Sequence, residues 1–340
     1  MARKKKRRPA RTRDWEEKHE DAFTHDRAKH LRAQAVKPAA AIEVAPEQAN
    51  ALVLSHSGQW AFVKIEAREQ LCLIDPGLFE GKVSILATGD RVLVEEGDGD
   101  YIVRAIAPRR TKLSRLAHVH SRLSEQVIAA NIDVLVIVAS TLKPRFKPGL
   151  VDRYLITAEL GGVTPVLVVN KMDLVDREPE KVQPYRDLGL AVLDTSCVTG
   201  AGIEALRQAL RGTLSVLAGH SGVGKSSLLN ALDPSLDIAT REVSTSTEKG
   251  RHTTSRATLY ELAGDIRIID TPGIRQLGLR GVSAQELGFY FPEMEALALQ
   301  CRFRNCTHVH EPGCAVRDAV EAGELPRLRY ESYRRILDSV

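Results

Sequence analysis

No run of apolar residues in this 340-residue chain approaches the length of a membrane span, and the N-terminus carries no apolar core of a secretion signal. A soluble, cytoplasmic protein with no membrane partner is therefore expected. Cysteine is scarce, and the count of five is odd, which excludes an even disulfide framework. Three of the five cluster with a histidine near the C-terminus, which points to metal binding in a reducing compartment. Acidic residues are missing from the first 13 positions, which hold eight Lys or Arg, although the whole chain nets only +4. The other 327 residues thus sum to −4, and the basic character sits in the tail. Arg3-Lys4-Lys5-Lys6-Arg7-Arg8 is expected to be disordered when free and to suit a phosphate backbone; the plainer reading is a solubilising tail. Residues 14–44 alternate charges and alanines without the pattern of a domain.

What the chain does contain is a phosphate-binding loop, Gly219-His220-Ser221-Gly222-Val223-Gly224-Lys225-Ser226-Ser227. It follows the apolar run Leu214 to Ala218 and precedes the helical pattern Ser227 to Leu232, the strand–loop–helix context such a loop requires. Its glycines let backbone N–H groups converge on phosphates, and the helix N-terminus favours negative charge there. Lys225 is expected to reach the β/γ oxygens and Ser226 to coordinate Mg2+.

The base is chosen elsewhere. Asn170-Lys171-Met172-Asp173 follows Thr164 to Val169, a buried-strand pattern, and so stands at a strand's C-terminal end. Asp173 can accept from guanine N1–H and the 2-amino group, a donor pair that adenine lacks. Lys171 would lay its stem along the base and Asn170 would brace the loop. Thr195-Ser196-Cys197, after Leu190 to Leu193, is either a second guanine-contacting loop or an ordinary turn. These base elements stand upstream of the phosphate loop, the reverse of the ordinary GTPase order. Downstream come Gly250-Arg251-His252-Thr253-Thr254 and Asp270-Thr271-Pro272-Gly273. Asp270 would hold Mg2+ through a water, Gly273 N–H would sense the γ-phosphate, and one of Thr253 and Thr254 would be a Mg2+ ligand.

The glutamine that orients water after the last of these motifs in Ras-type enzymes is missing, since Ile274 occupies the place. His252 is the nearest group able to accept from a water, unless it is simply an exposed loop histidine. Slow hydrolysis that needs a partner is expected.

Outside this region, short strand-like runs at Ala61–Ile65, Leu71–Ile74, Arg91–Val94 and Tyr101–Ile106 suggest a small β-barrel, OB-fold or SH3-like. Arg109, Arg110, Lys112 and Arg115 then read as a basic linker, either contacting RNA phosphates or forming a solvated hinge. Ile132 to Val138 has the β-branched run of a central parallel strand. After Ser283 the pattern turns helical and reaches Cys301-x4-Cys306-x-His308-x5-Cys314. Three thiolates and an imidazole suit one structural, tetrahedral Zn2+, with His310 the competing nitrogen ligand. Cys72 and Cys197 read as packing residues.

The permuted motif order, GHSGVGKSS, GRHTT, DTPG and the Cys/His spacing with Glu311-Pro312-Gly313 together resemble the bacterial ribosome small-subunit-dependent GTPase A family. The resemblance runs from about Ala45 to the C-terminus. It implies a multidomain chain: an N-terminal extension over 1–44, an OB-fold β-barrel over 45–112, a circularly permuted α/β P-loop GTPase over 113–282, and a mostly helical zinc-binding domain over 283–340. It also implies binding of the small (30S) ribosomal subunit and its 16S rRNA by a monomer, and GTP hydrolysis to GDP stimulated by that subunit late in its maturation. Because the zinc module follows the last nucleotide motif directly, nucleotide state is expected to set its orientation relative to the barrel. Two other readings remain at this point: an ATPase or nucleotide kinase, against which NKMD and DTPG count, and an RNA-binding adaptor with a structural nucleotide, which the intact Lys225, Ser226 and Asp270 oppose although Ile274 lends it some support.

Overall fold

The structure, a computed structural model, describes residues 43–80, 83–97, 100–119, 122–236, 257–271, 279 and 282–340. The basic tail, residues 14–42, His252, Thr253, Thr254 and Gly273 lie outside the described residues.

Alternation builds the first region. In β2 (Trp60–Ile65), Ala61 and Val63 are fully buried while Trp60 and Phe62 are exposed, the period of two of a strand with one face inward. The neighbouring strands are β1 (Ala51–Ser57) and β3 (Arg68–Ile74), followed by a small hairpin of β4 (Phe79–Glu80) and β5 (Val83–Ser84), then β6 (Arg91–Gly97) and β7 (Asp100–Ile106). They close in the order β1-β2-β3-β7-β6, with β3 and β7 parallel. This closed five-stranded arrangement, with one parallel pair, is OB-like and resolves the choice the strand pattern left open. Val53, Val63, Cys72, Val92 and Val103 pack inside it.

The expected basic linker is instead the start of a second hairpin. β8 (Lys112–Val119) pairs antiparallel with β9 (Arg122–Ala130). Arg109 donates through Nε and Nη2 to the two carboxylate oxygens of the fully buried Asp90, each at 2.7 Å. Arg110 meets Asp133 at 3.1 Å, Lys112 meets Glu125 at 2.8 Å, and Arg115 donates to Gln126 at 3.0 Å. All four basic groups have partners elsewhere in the chain: Arg109 is turned onto a buried carboxylate, while Arg110 stays largely exposed.

The central sheet runs β12-β11-β10-β13-β15-β14. Its strands are β10 (Val134–Ser140), β11 (Thr164–Asn170), β12 (Ala191–Asp194), β13 (Leu214–Ala218), β14 (Thr258–Leu262) and β15 (Ile266–Asp270). All neighbours are parallel except β14, which is the antiparallel edge strand. Every residue of β10 is buried, as a strand covered on both faces requires. Helices α1 (Pro148–Gly161) and α2 (Gln183–Asp187) lie on one face; α3 (Ile203–Leu210) and α4 (Lys225–Leu232) lie on the other. The chain winds outward from β10 to β12 and then returns to β13 on β10's other side. Such a reversal opens a crevice at the strands' C-terminal ends.

Three helices complete the chain: α5 (Pro292–Ala298), α6 (Ala315–Ala322) and α7 (Arg327–Leu337). They share an apolar core with Ile156 of α1. Arg329 of α7, only 2% exposed, pairs with the equally buried Asp152 of α1 and donates Nε to Glu293 at 2.5 Å. Its guanidinium also lies 4.7 Å from the Phe291 ring centroid. Among the described residues, no helix is long and apolar enough to cross a membrane.

Candidate nucleotide site and metal centre

The crevice gathers segments that lie far apart in sequence. β11 delivers Asn170, which is buried; its Nδ2 donates to the Val223 carbonyl at 2.9 Å and its Oδ1 accepts from Thr195 Oγ1 at 3.1 Å. The base-side motif is thereby fastened to the phosphate-side loop. The fit is close enough to demand glycine opposite. Gly224 has a φ of +100°, and a Cβ there would lie 2.3 Å from Asn170 Nδ2.

Lys171 sits in the left-handed region, φ +65°, a conformation that costs a non-glycine residue on the order of 1 kcal/mol. Its surroundings hold it there. Nζ donates to the carbonyls of Gly222 at 2.6 Å and Lys143 at 2.5 Å, and its own carbonyl accepts from Thr141 Oγ1 at 2.7 Å. Burial pushes its pKa down, and Asp173 pulls it back. Asp173 is exposed, but Oδ1 accepts from Ser196 Oγ at 2.6 Å. The same Ser196 oxygen accepts from the N–H groups of Val198 and Thr199, both at 3.2 Å. The Thr195-Ser196-Cys197 segment is thus a support for the NKMD loop, with the Cys197 thiol 3.7 Å from Asn170 Oδ1.

On the phosphate side, Gly224 caps α4 and Lys225 opens it. Lys225 Nζ donates to the carbonyls of Gly219 at 2.8 Å and His220 at 3.0 Å. Ser226 and Ser227 follow on the first turn, half-buried, while Val223 is buried beneath the loop. His220 Nδ1 lies 2.9 Å from the Ser221 carbonyl. Asp270 ends β15 beside Leu217, one strand over. Burial raises its pKa, opposed by Lys225 and by the Thr271 N–H. Asp270, half-buried and facing the Lys225 charge, and the Ser226 hydroxyl on the first turn of α4 are oxygen donors of the kind Mg2+ takes.

Thr141 belongs to no motif and was not singled out from the sequence. The available signal was positional: Thr141 lies just past the end of a central strand, where α/β sheets place their ligands.

The second centre is local. Cys301, Cys306, His308 and Cys314 each offer one ligand atom, all within 4.8 Å of one another. Cys301 Sγ and Cys314 Sγ are 3.9 Å apart, and each is 3.5 Å from His308 Nδ1. A tetrahedron with bonds of ~2.3 Å to sulfur and ~2.0 Å to nitrogen has edges of roughly 3.8 and 3.5 Å, so these residues fit one. His310 is exposed and outside the cluster.

Glu311 ties the intervening loop. It accepts from the Thr307 N–H (2.9 Å) and hydroxyl (2.6 Å) and from the Val309 and His310 N–H groups (3.2 Å each). Its burial works against the charge, but these donors prevail and hold its pKa well below the carboxylate range. Tyr330 and Tyr333 of α7 donate to the carbonyls of His308 (2.7 Å) and Thr307 (2.9 Å).

The family model described as RsgA GTPase matches residues 106–280. This chain belongs to the RsgA GTPase family. A "small ribosomal subunit biogenesis GTPase RsgA" of Chlorobaculum tepidum is 42% identical over 76% of this chain and 86% of its own length. The protein of that name from Pseudomonas fluorescens is 38% identical over 92% of each. Among solved structures, YjeQ from Thermotoga maritima superposes with a TM-score of 0.64 at 30% identity, covering 85% of this chain and 97% of that one. YloQ, described as a circularly permuted GTPase, gives 0.60 at 27% identity, covering 85% and 93%. As in that description, NKMD begins at the end of β11, upstream of the phosphate loop after β13.

Proposed function

We propose that the chain binds GTP across β11, β12, β13 and β15, and that it hydrolyses the nucleotide to GDP in the late maturation of the small (30S) ribosomal subunit. The observation that carries the nucleotide reading is the convergence at the C-terminal ends of the strands of Asp173 (braced by Ser196), Asn170 (bonded to Val223) and the Gly224–Lys225 helix start. Asp173 offers its carboxylate to guanine N1–H and the 2-amino group. Lys225 exchanges its loop carbonyls for β/γ-phosphate oxygens, and the N–H groups of 219–227 surround them. Ser226 and Asp270 would hold Mg2+, with one of Thr253 and Thr254; Gly273 would sense the γ-phosphate and His252 would orient the water. Magnesium, when bound, supplies charge neutralisation at the β–γ bridge.

The subunit as partner is drawn from the names of the relatives. Contact with 16S rRNA, a monomeric state and a cytoplasmic setting accompany that reading. The OB-like barrel over 45–112 and a zinc module over 283–340 flank the GTPase of 113–282. Zn2+ fits the three thiols and one imidazole, which leave no open coordination position, so its role is structural.

The test is hydrolysis of GTP and ATP by the purified protein with and without small ribosomal subunits. GTP-selective turnover that rises severalfold with subunits is expected. A GTPase rate unmoved by subunits refutes the partner, and equal use of ATP refutes the base assignment.

A further inference from the structure

Thr88 belongs to the barrel, in the turn just before β6, yet it is completely buried. Its Oγ1 donates to the Ala257 carbonyl at 3.1 Å, and Ala257 is the residue that enters β14. Its own carbonyl accepts from Ala130 N–H at 2.9 Å, at the exit of the β8–β9 hairpin. The next residue, Gly89, has a φ of +91°; a Cβ there would lie 2.2 Å from the Ala130 oxygen and 3.4 Å from Ile269 Cδ1. Asn131 Nδ2 donates to the Gly89 carbonyl at 3.0 Å. Asp90 is then held by Arg109 and by the Ala87 N–H at 2.7 Å. Three consecutive residues are therefore fixed, and they form a wedge between the hairpin and the strands β14 and β15.

The wedge presses on the nucleotide end of those strands. Thr258, directly after Ala257, is the register partner of Asp270, and Ile269 is the residue before Asp270. Among the described residues, β14 is an edge strand, with β15 on one side and no further strand on the other. A side chain from the barrel thus satisfies the Ala257 carbonyl at the start of that strand.

We propose that Thr88 is a positioning residue for Asp270. Through the Ala257 carbonyl it fixes the strand end that holds the Asp270 carboxylate near Lys225, and so sets how firmly the magnesium–nucleotide pair is retained. This rests on reading Asp270 as a magnesium-side residue. The Lys64–Glu261 ion pair joins the barrel to β14 farther along, opposite Arg267 and away from Asp270, which makes it an internal control for simple loosening of the contact.

The experiment follows release of fluorescent N-methylanthraniloyl-GDP from the full-length protein across a magnesium titration. Thr88→Val keeps the shape and removes the donor. The magnesium concentration that half-maximally slows release is expected to rise about fivefold, the worth of one buried hydrogen bond, with release in EDTA unchanged. Thr88→Ser and Lys64→Ala are expected to match the parent. A parent-like titration for Thr88→Val overturns the proposal, as does equal loosening in EDTA, which would show a merely structural role. Should Thr88→Val fail to fold by circular dichroism, Thr88→Ala is judged by the same two criteria. A parent protein that binds the nucleotide but whose release ignores magnesium would sink the reading of Asp270 and the proposal with it.

Discussion

The nucleotide site and the Cys/His centre are built in opposite ways. The first is assembled from the ends of five strands, with Thr141, Asn170, Thr195, Lys225 and Asp270 spread over more than a third of the chain. The second lies within Cys301 to Cys314, and its loop is tied by one residue of its own, Glu311. A site built across a sheet inherits its geometry from the fold and survives the loss of any single contact. A site built within one loop has no such redundancy, because its loop has little structure besides the ligand bonds and their hydrogen-bonded ties.

The contrast is sharpest where one residue is removed from the local centre. Cys306→Ser is expected to abolish tight Zn2+ binding, a term on the order of 10 kcal/mol in small zinc modules. Hydrogen exchange should then show residues 299–314 unprotected while β10, β11 and β13 keep their protection. If the parallel strands lose protection equally, the two centres are not independent. Next in size is Arg329→Met, which strands Asp152 and Glu293 without their partner. Breaking such a buried pair costs roughly 3–5 kcal/mol, and a chemical-denaturation midpoint shift should report it. The double variant with Asp152→Leu should recover much of the loss.

At the distributed site, Asp173→Asn is expected to weaken GDP binding by roughly a hundredfold or more and to leave the melting temperature within a few degrees of the parent. Equilibrium titration and calorimetry together check this, and a collapse of stability would mean that the base loop is as local as the metal loop. The smallest effect concerns Asp194, which ends β12. It shares Arg186 with Glu178, at 2.9 and 2.6 Å. Burial, and then Glu178, push its pKa up to about 6 despite that arginine. The folded state therefore keeps a proton that the unfolded chain has released above about pH 4. Stability from this group is full below pH 4 and is lost as pH rises through about 6. Thermal melts of Asp194→Asn between pH 4 and 8 should lack this slope, and an unchanged slope would rule the residue out.

Much of this was legible in the sequence where chemistry and spacing are contiguous. GHSGVGKSS, NKMD and the Cys/His spacing could each be read within a dozen or so residues, and β10 and the barrel strands followed from runs and alternation. What escaped was non-local pairing. Arg109 looked like a solvated charge because its partner Asp90 lies 19 residues upstream, in a turn whose burial depends on the whole barrel. Thr141 carries no motif, and its value comes from the Lys171 carbonyl, 30 positions later. The β8–β9 hairpin was hidden by Lys112 and Arg115, which pair across it with Glu125 and Gln126. Arg329 and Asp152 are 177 positions apart, and no local pattern marks either as buried.

Asp152 has an evolutionary consequence. It belongs to α1, within the GTPase sheet's own helical cover, yet its charge is compensated from α7, at the far end of the chain. A lineage that discarded the terminal helices by one truncation would keep a bared carboxylate on α1 and an uncovered Ile156. A carboxylate returned to water is no burden, so the cost of shedding the module falls on the uncovered apolar residues, Ile156 and the partners that share its core. The dependence runs the other way: while the module is docked, losing Asp152 leaves Arg329 buried with Glu293 as its remaining ion-pair partner, so the module constrains its host at that position.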